Sequence, residues 1–381
     1  MNFCFFSTQY LPTVGGVERY TFNIARLLIQ RGHRVTVVTS ALPGLPERET
    51  DSYGIDVVRV PSYLLMNGRF PFVKVTKFFP QIKKLMYDMD FCVIQTRFYP
   101  LSVAAAVACR KHRVKSLVID HSTGHMPMGD GIVGKIAALY EHIACGIIKK
   151  CTGGFYGVSE AVSRWLEHFG VKSEGQLYNA VDMASISNEL MQDVVDFRKK
   201  LSLAENTKII SFAGRLIPEK GVEILINAFE KCGFENTALL IAGDGALYEK
   251  LSAQKKENVY LLGSLPHNNT LQLMEQSEVY CLPTMYAEGF PTTFLEAAAC
   301  GCPVITTVTG GSSEFMPDDS YGIELKKLDE DTLAQALEKA MSDILWRKTA
   351  AEKAFANLQD NFVWEKTCDR LEKIALDKIN N

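Results

Sequence analysis

The sequence predicts an α/β protein built from two doubly wound parallel sheets that face each other across a cleft. Three observations indicate this class. Short β-rich runs alternate with amphipathic segments of helix length, a pattern typical of stacked βαβ units with parallel sheets. The alternation occurs as two series separated by a polar stretch. The 381 residues also exceed the ~250–300 at which a single core stops growing, so two domains are expected.

The first series starts at the N-terminus. Its β-rich runs predict strands at 3–6, 35–39, 55–60, 91–95, 116–119 and 154–156. Between the first two strands, apolar residues recur at helical spacing: Val17, Tyr20, Ile24, Leu27 and Leu28. Gly32 follows as a C-terminal stop, so this helix and its two flanking strands form one βαβ unit.

The second series begins near Lys208. Its runs predict strands at 209–212, 238–241, 259–262, 279–282 and 304–306. The polar stretch 182–203 offers no strand, so we expect an N-terminal domain at 1–185 and a C-terminal domain at 186–361. From about Glu330 the chain is predicted to be helical to its end, with a break near 360–362. The last helix, 362–381, is predicted to pack back on the N-terminal domain.

Composition narrows the range of partners. The formal net charge of -3 and the lack of a long Lys/Arg run give no general attraction for nucleic acid. The ten cysteines lie singly in apolar stretches, which favours buried thiols in a reducing cytoplasm over a disulfide framework. No signal-peptide pattern opens the sequence, and no run reaches ~18 apolar residues. We therefore expect a cytoplasmic protein that at most lies on a membrane.

The segment 287–303 contains the strongest candidate site. Thr292 or Thr293 is predicted to cap a helix that runs through the following alanines, and Gly301 is predicted to end it. The N–H groups and the positive dipole end of this helix would bind an anion, and Gly289 would let a phosphate or sugar approach the backbone. This segment therefore predicts a ligand site at the start of a helix.

Two carboxylates belong to this site. Glu288 precedes the helix and Glu296 lies inside it, so both can reach one ligand, and carboxylates accept hydrogen bonds from sugar hydroxyls. The alternative is a solvated glutamate on a loop and another on a helix face. Apolar neighbours, Phe294 and Leu295 among them, make a solvated position less favourable for Glu296.

Two further clusters follow predicted strands. Arg215 comes directly after the first strand of the second series and Lys220 opens the next helix, so the two cations could clamp a diphosphate. A surface turn with two solvated bases is the alternative. Gly15 and Gly16 follow the first strand of the chain, where backbone N–H groups could face a phosphate. This turn lacks the G-x-G-x-x-G spacing of dinucleotide sites, which disfavours a dehydrogenase.

Taken together, these clusters resemble the retaining glycosyltransferases of GT-B fold, which have two Rossmann-like domains, and specifically their large family 4 (glycosyl transferases group 1). The resemblance covers nearly the whole chain. It depends on four motifs: the Gly-Gly turn followed by Val17-Glu18, Gly-Arg-Leu-x-x-Glu-Lys-Gly at 214–221, Gly243-Asp244-Gly245, and Glu288 and Glu296 with seven residues between them.

The resemblance implies a role for individual residues. Arg215 and Lys220 would bind the donor diphosphate, Glu296 the ribose, and Glu288 the transferred sugar, while His121 would lie near the primary hydroxyl of that sugar. These four implied catalytic residues are His121, Arg215, Lys220 and Glu288. The implied substrate-binding residues are Gly15, Gly16, Gly214, Gly243, Asp244, Gly245, Leu265, Gly289, Phe290, Pro291, Thr292 and Glu296. The sequence Gly310-Gly311-Ser312-Ser313-Glu314 departs from the family pattern and leaves the identity of the sugar open.

The activity implied is metal-independent transfer, with retention, of a hexose or hexose derivative from a nucleoside-diphosphate sugar to a glycan or lipid-linked acceptor in cell-surface polysaccharide synthesis. UDP is favoured as the donor nucleotide and GDP is possible. No cofactor is expected besides this co-substrate. Asp88 and Asp90 precede a strand and Cys300 and Cys302 flank a glycine, so neither pair predicts a metal site. The alternatives are a sugar-nucleotide epimerase or hydrolase, and a non-catalytic nucleotide-sugar binding protein.

A basic and aromatic segment at 63–86 offers a contact with membrane. It mixes Arg69, Lys74, Lys77, Lys83 and Lys84 with phenylalanines. Such a segment could rest on anionic lipid at the inner face of the cell membrane or guide a lipid-phosphate acceptor. An ordinary surface helix is the alternative.

Overall fold

The computed structural model describes residues 1–13, 15–65, 68, 70–126, 128–129, 131–286 and 288–380. Its strands are β1 (Asn2–Phe6), β2 (Arg34–Ser40), β3 (Arg48–Thr50), β4 (Asp56–Val60), β5 (Ser62–Leu65), β6 (Phe70–Val73), β7 (Phe91–Gln95), β8 (Lys115–Asp120), β9 (Phe155–Gly157), β10 (Lys208–Ala213), β11 (Thr237–Ala242), β12 (Val259–Gly263), β13 (Val279–Leu282), β14 (Val304–Thr307) and β15 (Ile323–Leu325).

Its helices are α1 (Gly16–Gln30), α2 (Val75–Tyr87), α3 (Pro100–His112), α4 (Ile132–Lys149), α5 (Glu160–Glu167), α6 (Met183–Leu190), α7 (Phe197–Lys200), α8 (Val222–Cys232), α9 (Tyr248–Gln254), α10 (His267–Glu275), α11 (Thr292–Ala299), α12 (Ser312–Phe315), α13 (Glu330–Ser342), α14 (Ile344–Asn361) and α15 (Trp364–Asn380). A short 3-10 helix, Pro218–Lys220, precedes α8. None of the helices in the described part of the chain combines the length and the apolar character needed to cross a bilayer.

The chain divides into two compact units. Unit 1 consists of residues 1–179 and the segment that begins at Trp364, and unit 2 of Ala180–Val363. The division at 179/180 lies a few residues before the position where the polar stretch of the sequence places it. Helix α15 belongs to unit 1, where it packs against α1 and β8.

Unit 1 contains a doubly wound sheet with the strand order β3-β4-β2-β1-β7-β8-β9. Its neighbouring strands are parallel except for β3, which is antiparallel to β4. The core of the sheet is fully buried at Phe3–Phe6, because helices cover both faces of a parallel sheet. Chain order reverses between β1 and β7. In open α/β sheets, ligands bind at the carboxyl ends of the strands beside such a reversal.

Unit 2 repeats this topology with the order β12-β11-β10-β13-β14-β15, all parallel. The first strand of the unit, β10, lies at the centre, and chain order reverses between β10 and β13. Numbered within the unit, the order is 3-2-1-4-5-6, which is that of dinucleotide-binding sheets. The predicted fold class, α/β with doubly wound Rossmann-like sheets, is confirmed.

The predicted strands are all present, and their ends differ from the predicted ones by at most one residue. Strands β3 and β15 and the hairpin of β5 and β6 were not predicted, because these strands are short and lie at sheet edges or outside the main sheets. In the basic segment 63–86, the hairpin occupies the first part and α2 the second. Gly68 and Pro71 break the helical pattern there, so the segment is not one surface helix.

Candidate functional site

In unit 2, the loops that follow β10 and β13 meet at the carboxyl edge of the sheet. Gly221 has φ of 69°, and a side chain there would place its Cβ 2.0 Å from the carbonyl oxygen of Pro283. Only glycine accommodates both the left-handed backbone and the close approach. The Met285 N–H donates to the Glu219 carbonyl at 2.7 Å, which ties the two loops together. The two loops therefore form one continuous surface at the point where the chain order of the sheet reverses.

Three of the sequence-predicted residues are gathered on this surface. The ammonium group of Lys220 donates to Oε1 of Glu288, and both side chains are largely buried. The guanidinium of Arg215 lies 5.4 Å, and the ammonium of Lys220 5.5 Å, from the ring centroid of Tyr286. Both cations therefore lie close to the same aromatic ring, whose faces attract positive charge through the ring quadrupole. Tyr286 was missed from the sequence because no motif marks it.

Helix α11 begins beside this surface, although not with the predicted cap. Pro291 occupies the N-cap position and makes no side-chain cap hydrogen bond, and Thr292 is the first helical residue. The prediction that Thr292 or Thr293 caps the helix is wrong, because the chain already turns into the helix at the proline. Phe290 is buried and its ring lies 5.5 Å from that of Phe294, which anchors the entry to the helix.

The end of α11 agrees with the sequence. Gly301 adopts φ of 71°, and its N–H donates to the Ala298 carbonyl at 3.0 Å. This left-handed residue ends the helix as predicted. Gly289 lies half-buried between Glu288 and the start of the helix. Glu288 and Gly289 thus lie on the loop before α11, and Thr292 lies in its first turn.

Glu296 is buried on α11, with 8% of its surface exposed. Its Oε1 lies 3.4 Å from Nε2 of His267, and Nδ1 of the same ring lies 2.6 Å from Oε2 of Glu189. The hydrogen bond with Glu296, aided by that with Glu189, raises the pKa of His267 to about 9 against the cost of burial. His267, the first residue of α10, was not predicted, although Leu265 two residues earlier was.

A third loop of unit 2, after β11, packs against the first. Gly243 has φ of 140°, and a Cβ there would lie 1.8 Å from the carbonyl oxygen of Gly214. The Asp244 carbonyl accepts from the Leu216 N–H at 2.9 Å, and the Asp244 carboxylate accepts from the N–H of Gly245 at 2.7 Å. The close approach of the two backbones, together with the positive φ, therefore explains why glycine occupies position 243.

In unit 1, the predicted residues follow β1 and β8. Gly15 is the N-cap of α1 and Gly16 is its exposed first residue. His121 follows β8, with Nε2 2.7 Å from Oε1 of Gln95 and its ring 4.9 Å from that of Tyr20. Burial lowers the pKa of His121 to about 3. The imidazole is therefore neutral at physiological pH.

Two family models match the chain. The model described as Glycosyltransferase Family 4 matches residues 14–184, and that described as Glycosyl transferases group 1 matches residues 193–356. This chain belongs to the group 1 glycosyltransferases. The first model falls almost wholly on unit 1 and the second within unit 2, so each unit matches one part of the family.

Among curated proteins, the glycosyltransferase is 22% identical to a glycosyltransferase of Methanocaldococcus jannaschii, a match that covers 98% of each chain. It is 24% identical to the gpi3 subunit of the phosphatidylinositol N-acetylglucosaminyltransferase of Schizosaccharomyces pombe, over 97% of this chain and 79% of that protein. It is 27% identical to a GDP-mannose-dependent phosphatidylinositol monomannoside mannosyltransferase of Corynebacterium glutamicum, over 52% of this chain and 55% of that one.

Solved structures share the fold of the glycosyltransferase. A glycosyltransferase from Rickettsia africae superposes with a TM-score of 0.77 at 19% identity, over 100% of this chain and 99% of that one. HepE of Anabaena, in complex with UDP, superposes with a TM-score of 0.75 at 18% identity, over 99% of this chain and 100% of that one. The GT-B fold expected from the sequence is thereby confirmed.

Proposed function

We propose that this glycosyltransferase moves a hexose or hexose derivative from a nucleoside-diphosphate sugar to a hydroxyl group of a glycan or lipid-linked acceptor, with retention at the anomeric carbon. UDP is the favoured donor nucleotide and GDP the alternative. The observation that carries the proposal is the grouping of Arg215, Lys220 and Glu288 around Tyr286 at the reversal point of the second sheet. The two cations would bind the diphosphate of such a donor, and the carboxylate would bind its sugar.

Positively charged and negatively charged side chains of unit 2 would bind different parts of the donor. Arg215 and Lys220 would neutralise the diphosphate, assisted by the N–H groups at the start of α11. Glu288 would accept hydrogen bonds from the sugar, and Glu296 from the ribose. Because side chains supply the positive charge, the reaction needs no metal ion at the diphosphate, and no further cofactor is proposed.

The chemical step follows from this arrangement. The bond between the anomeric carbon and the phosphate oxygen breaks, and its electron pair leaves with the nucleoside diphosphate. The acceptor oxygen attacks from the same face and forms the new glycosidic bond, and its proton passes to the leaving phosphate oxygen. Arg215 and Lys220 stabilise the charge that grows on that oxygen, so positioning and electrostatics supply the catalysis.

Relatives support the choice of donor and acceptor. The HepE structures contain UDP, UDP with glucose, or UDP-glucose, whereas the Corynebacterium relative is described as GDP-mannose-dependent. Two of the curated relatives described above act on phosphatidylinositol or its mannoside, by their names. A lipid-linked acceptor therefore suits the chain, with cell-surface glycan synthesis as its setting.

Membrane contact at the cytoplasmic face is part of the proposal. Apolar side chains are exposed on α4 of unit 1, including Ile136 and Leu139, and Tyr63 and Phe72 are exposed on the hairpin. The Phe70 ring of the hairpin lies 6.2 Å from Tyr140 of α4, so the two surfaces adjoin. Lys74 lies over the ring of Tyr63, and Lys77, Lys83 and Lys84 are on α2. Arg69, also predicted to contribute, lies outside the described residues.

The test begins with a calorimetric screen of UDP-, GDP- and ADP-sugars against the purified protein. The donor that binds is then incubated with and without lipid-linked and free glycan acceptors, and the products are analysed by mass spectrometry and by NMR of the anomeric centre. We expect transfer that requires an acceptor and retains the anomeric configuration. An altered nucleotide sugar formed without acceptor would indicate an epimerase or hydrolase, and binding without turnover would indicate a non-catalytic protein.

A further inference from the structure

Three histidines from separate elements of unit 1 come together at its surface. His125 lies on the loop after β8, His142 on α4, and His168 at the C-terminal end of α5. Each offers a ring nitrogen, and these nitrogens all lie within 4.8 Å of one another. The proposed transfer reaction uses none of the three. They are 17 and 26 residues apart, so no local motif identifies them in the sequence.

The spacing is close to that of a metal site. Imidazole nitrogens bind Zn²⁺ at about 2.0–2.1 Å, so two nitrogens on one ion are at most about 4 Å apart. The rings must therefore move together by roughly an ångström, starting from the 4.8 Å limit. All three residues are exposed, so rotation about their side-chain bonds can provide this movement.

A buried carboxylate already orients one of the rings. Oε2 of Glu141 lies 3.3 Å from Nδ1 of His125, and Oε1 of Glu141 accepts from the Met126 N–H at 2.7 Å. A proton on Nδ1 can be donated to this carboxylate, an arrangement that leaves the lone pair of Nε2 available for an ion. Metal-binding histidines commonly donate their second N–H to a carboxylate in this way.

A buried ion-pair group lies next to the cluster. Glu141 shares the fully buried Arg97 with Asp120, and the distance from the Arg97 guanidinium to Oε2 of Glu141 is 3.1 Å. These contacts hold the Glu141 carboxylate in place beside His125. His168 also lies at the C-terminal end of α5, where the helix dipole stabilises positive charge.

A stacked aromatic side chain also restrains one of the three rings. Trp165 stacks on His168 with ring centroids 4.8 Å apart and planes 10° from parallel, which limits the orientations of this ring.

We propose that His125, His142 and His168 bind a divalent transition-metal ion such as Zn²⁺ at the surface of unit 1. Three imidazole nitrogens suit this class of ion and leave a fourth position for water. The ion would tie the loop that follows His121 to α4 and α5. This site is separate from the donor site in unit 2, and it does not depend on the proposed transfer reaction.

The proposal is tested with untagged, full-length protein that has been stripped with a chelator and is titrated with Zn²⁺ against a chromophoric competitor. We expect one ion per chain with a dissociation constant in the micromolar range or below, weakened more than tenfold in His125→Ala, His142→Ala and His168→Ala. His112→Ala, on α3 and outside the cluster, is the matched control and is expected to bind as the wild type does. Equal binding by wild type and the triple variant would overturn the proposal.

Trp165 provides a second measurement that reports the location of the ion. Paramagnetic Cu²⁺ held by His168 would quench the fluorescence of the stacked indole, so titration is expected to lower the emission of the wild type but not that of His142→Gln. Trp165→Phe keeps an aromatic ring against His168 and is expected to bind the ion without the quench. Quenching that persists in Trp165→Phe would place the ion elsewhere and contradict the assignment. Unchanged circular dichroism confirms that each variant is folded.

Discussion

Lys220 and Glu288 form an ion pair that joins the loop after β10 to the loop after β13 in unit 2. Neither side chain is freely solvated, since 11% of the lysine and 21% of the glutamate are exposed. The pair holds an ammonium group and a carboxylate side by side at the point where the sheet reverses chain order. In the proposed reaction, a diphosphate would contact the first and the transferred sugar the second.

Removal of either cation is expected to slow turnover. Arg215→Ala and Lys220→Ala each delete a charge that would stabilise the departing diphosphate, and a tenfold loss of rate corresponds to about 1.4 kcal/mol of transition-state stabilisation. We expect kcat to fall more than tenfold in each variant. Lys231→Ala is the matched control, because its ammonium group pairs with Asp331 on an exposed surface. Full activity in both site variants would refute the assignment of the diphosphate site.

Gly243→Ala is expected to destabilise unit 2, because the new Cβ would lie 1.8 Å from the Gly214 carbonyl oxygen. Gly233→Ala serves as control, since Gly233 also has positive φ, but among the described residues beyond its own chain neighbours no atom lies within 4 Å of the added Cβ. Backbone strain alone costs about 1–2 kcal/mol, which corresponds to a midpoint about 2–8 °C lower. We expect the larger decrease, with weakened donor binding, in Gly243→Ala. Equal thermal midpoints for the two variants would contradict this expectation, because they would show that the loops of Gly214 and Gly243 can move apart with no loss of stability.

The fold was predictable because its signals are local. Runs such as Phe3–Phe6 and Val279–Leu282 are apolar for the length of a strand. Gly32 and Gly301 mark helix ends, because glycine adopts a positive φ more easily than other residues do. The cap of α11 was misplaced because the sequence does not reveal that the chain turns at Pro291, one residue before the threonines.

The missed site residues depend on contacts between distant segments. Tyr286 gains its importance from Arg215 and Lys220, which lie on another loop. His267 gains its importance from Glu296, which is 29 residues away. Such pairings arise only when the sheet brings strand ends together, so spacing along one segment could not identify them.

The ionisation of His267 is expected to make stability depend on pH in the alkaline range. Its pKa rises from 6.5 to about 9 on folding, because protonated His267 bonds to Glu296 and Glu189. The resulting stabilisation is full below pH 6.5 and is lost as pH rises through about 9. The difference in thermal midpoint between the wild type and His267→Asn should become smaller as pH rises from 6 to 10. Glu189→Gln should shift this decline to lower pH, and a constant difference would contradict the role of His267.

Membrane binding is expected to require both basic and apolar side chains of unit 1. Protein mixed with vesicles of phosphatidylcholine containing 30% phosphatidylglycerol should float with them, and less should float with pure phosphatidylcholine, because anionic lipid attracts lysines at about 1 kcal/mol each. Removal of charge at Lys74, Lys77, Lys83 and Lys84 should abolish the difference. Ile136→Ser with Leu139→Ser should lower flotation on both vesicles. Flotation independent of anionic lipid, in wild type and lysine variant alike, would refute the contact.

Burial of His121 is expected to lower the stability of the fold in acid. The pKa of this ring falls to about 3 in the folded chain from an ordinary value of 6.5. Above pH 6.5 neither state binds the proton, but between 6.5 and 3 the unfolded chain binds it and the folded chain does not.

Stability contributed by the neutral ring should therefore fall as pH decreases through this window. His121→Gln keeps a polar side chain beside Gln95 and Tyr20 but cannot take up the proton. We expect the thermal midpoint of the wild type to drop more steeply than that of His121→Gln between pH 7 and pH 4.5. His112→Gln, measured over the same range, corrects for the general response of the fold to acid. Parallel curves for wild type and His121→Gln would mean that the ring protonates in the folded state, and that solvent reaches it beneath Tyr20.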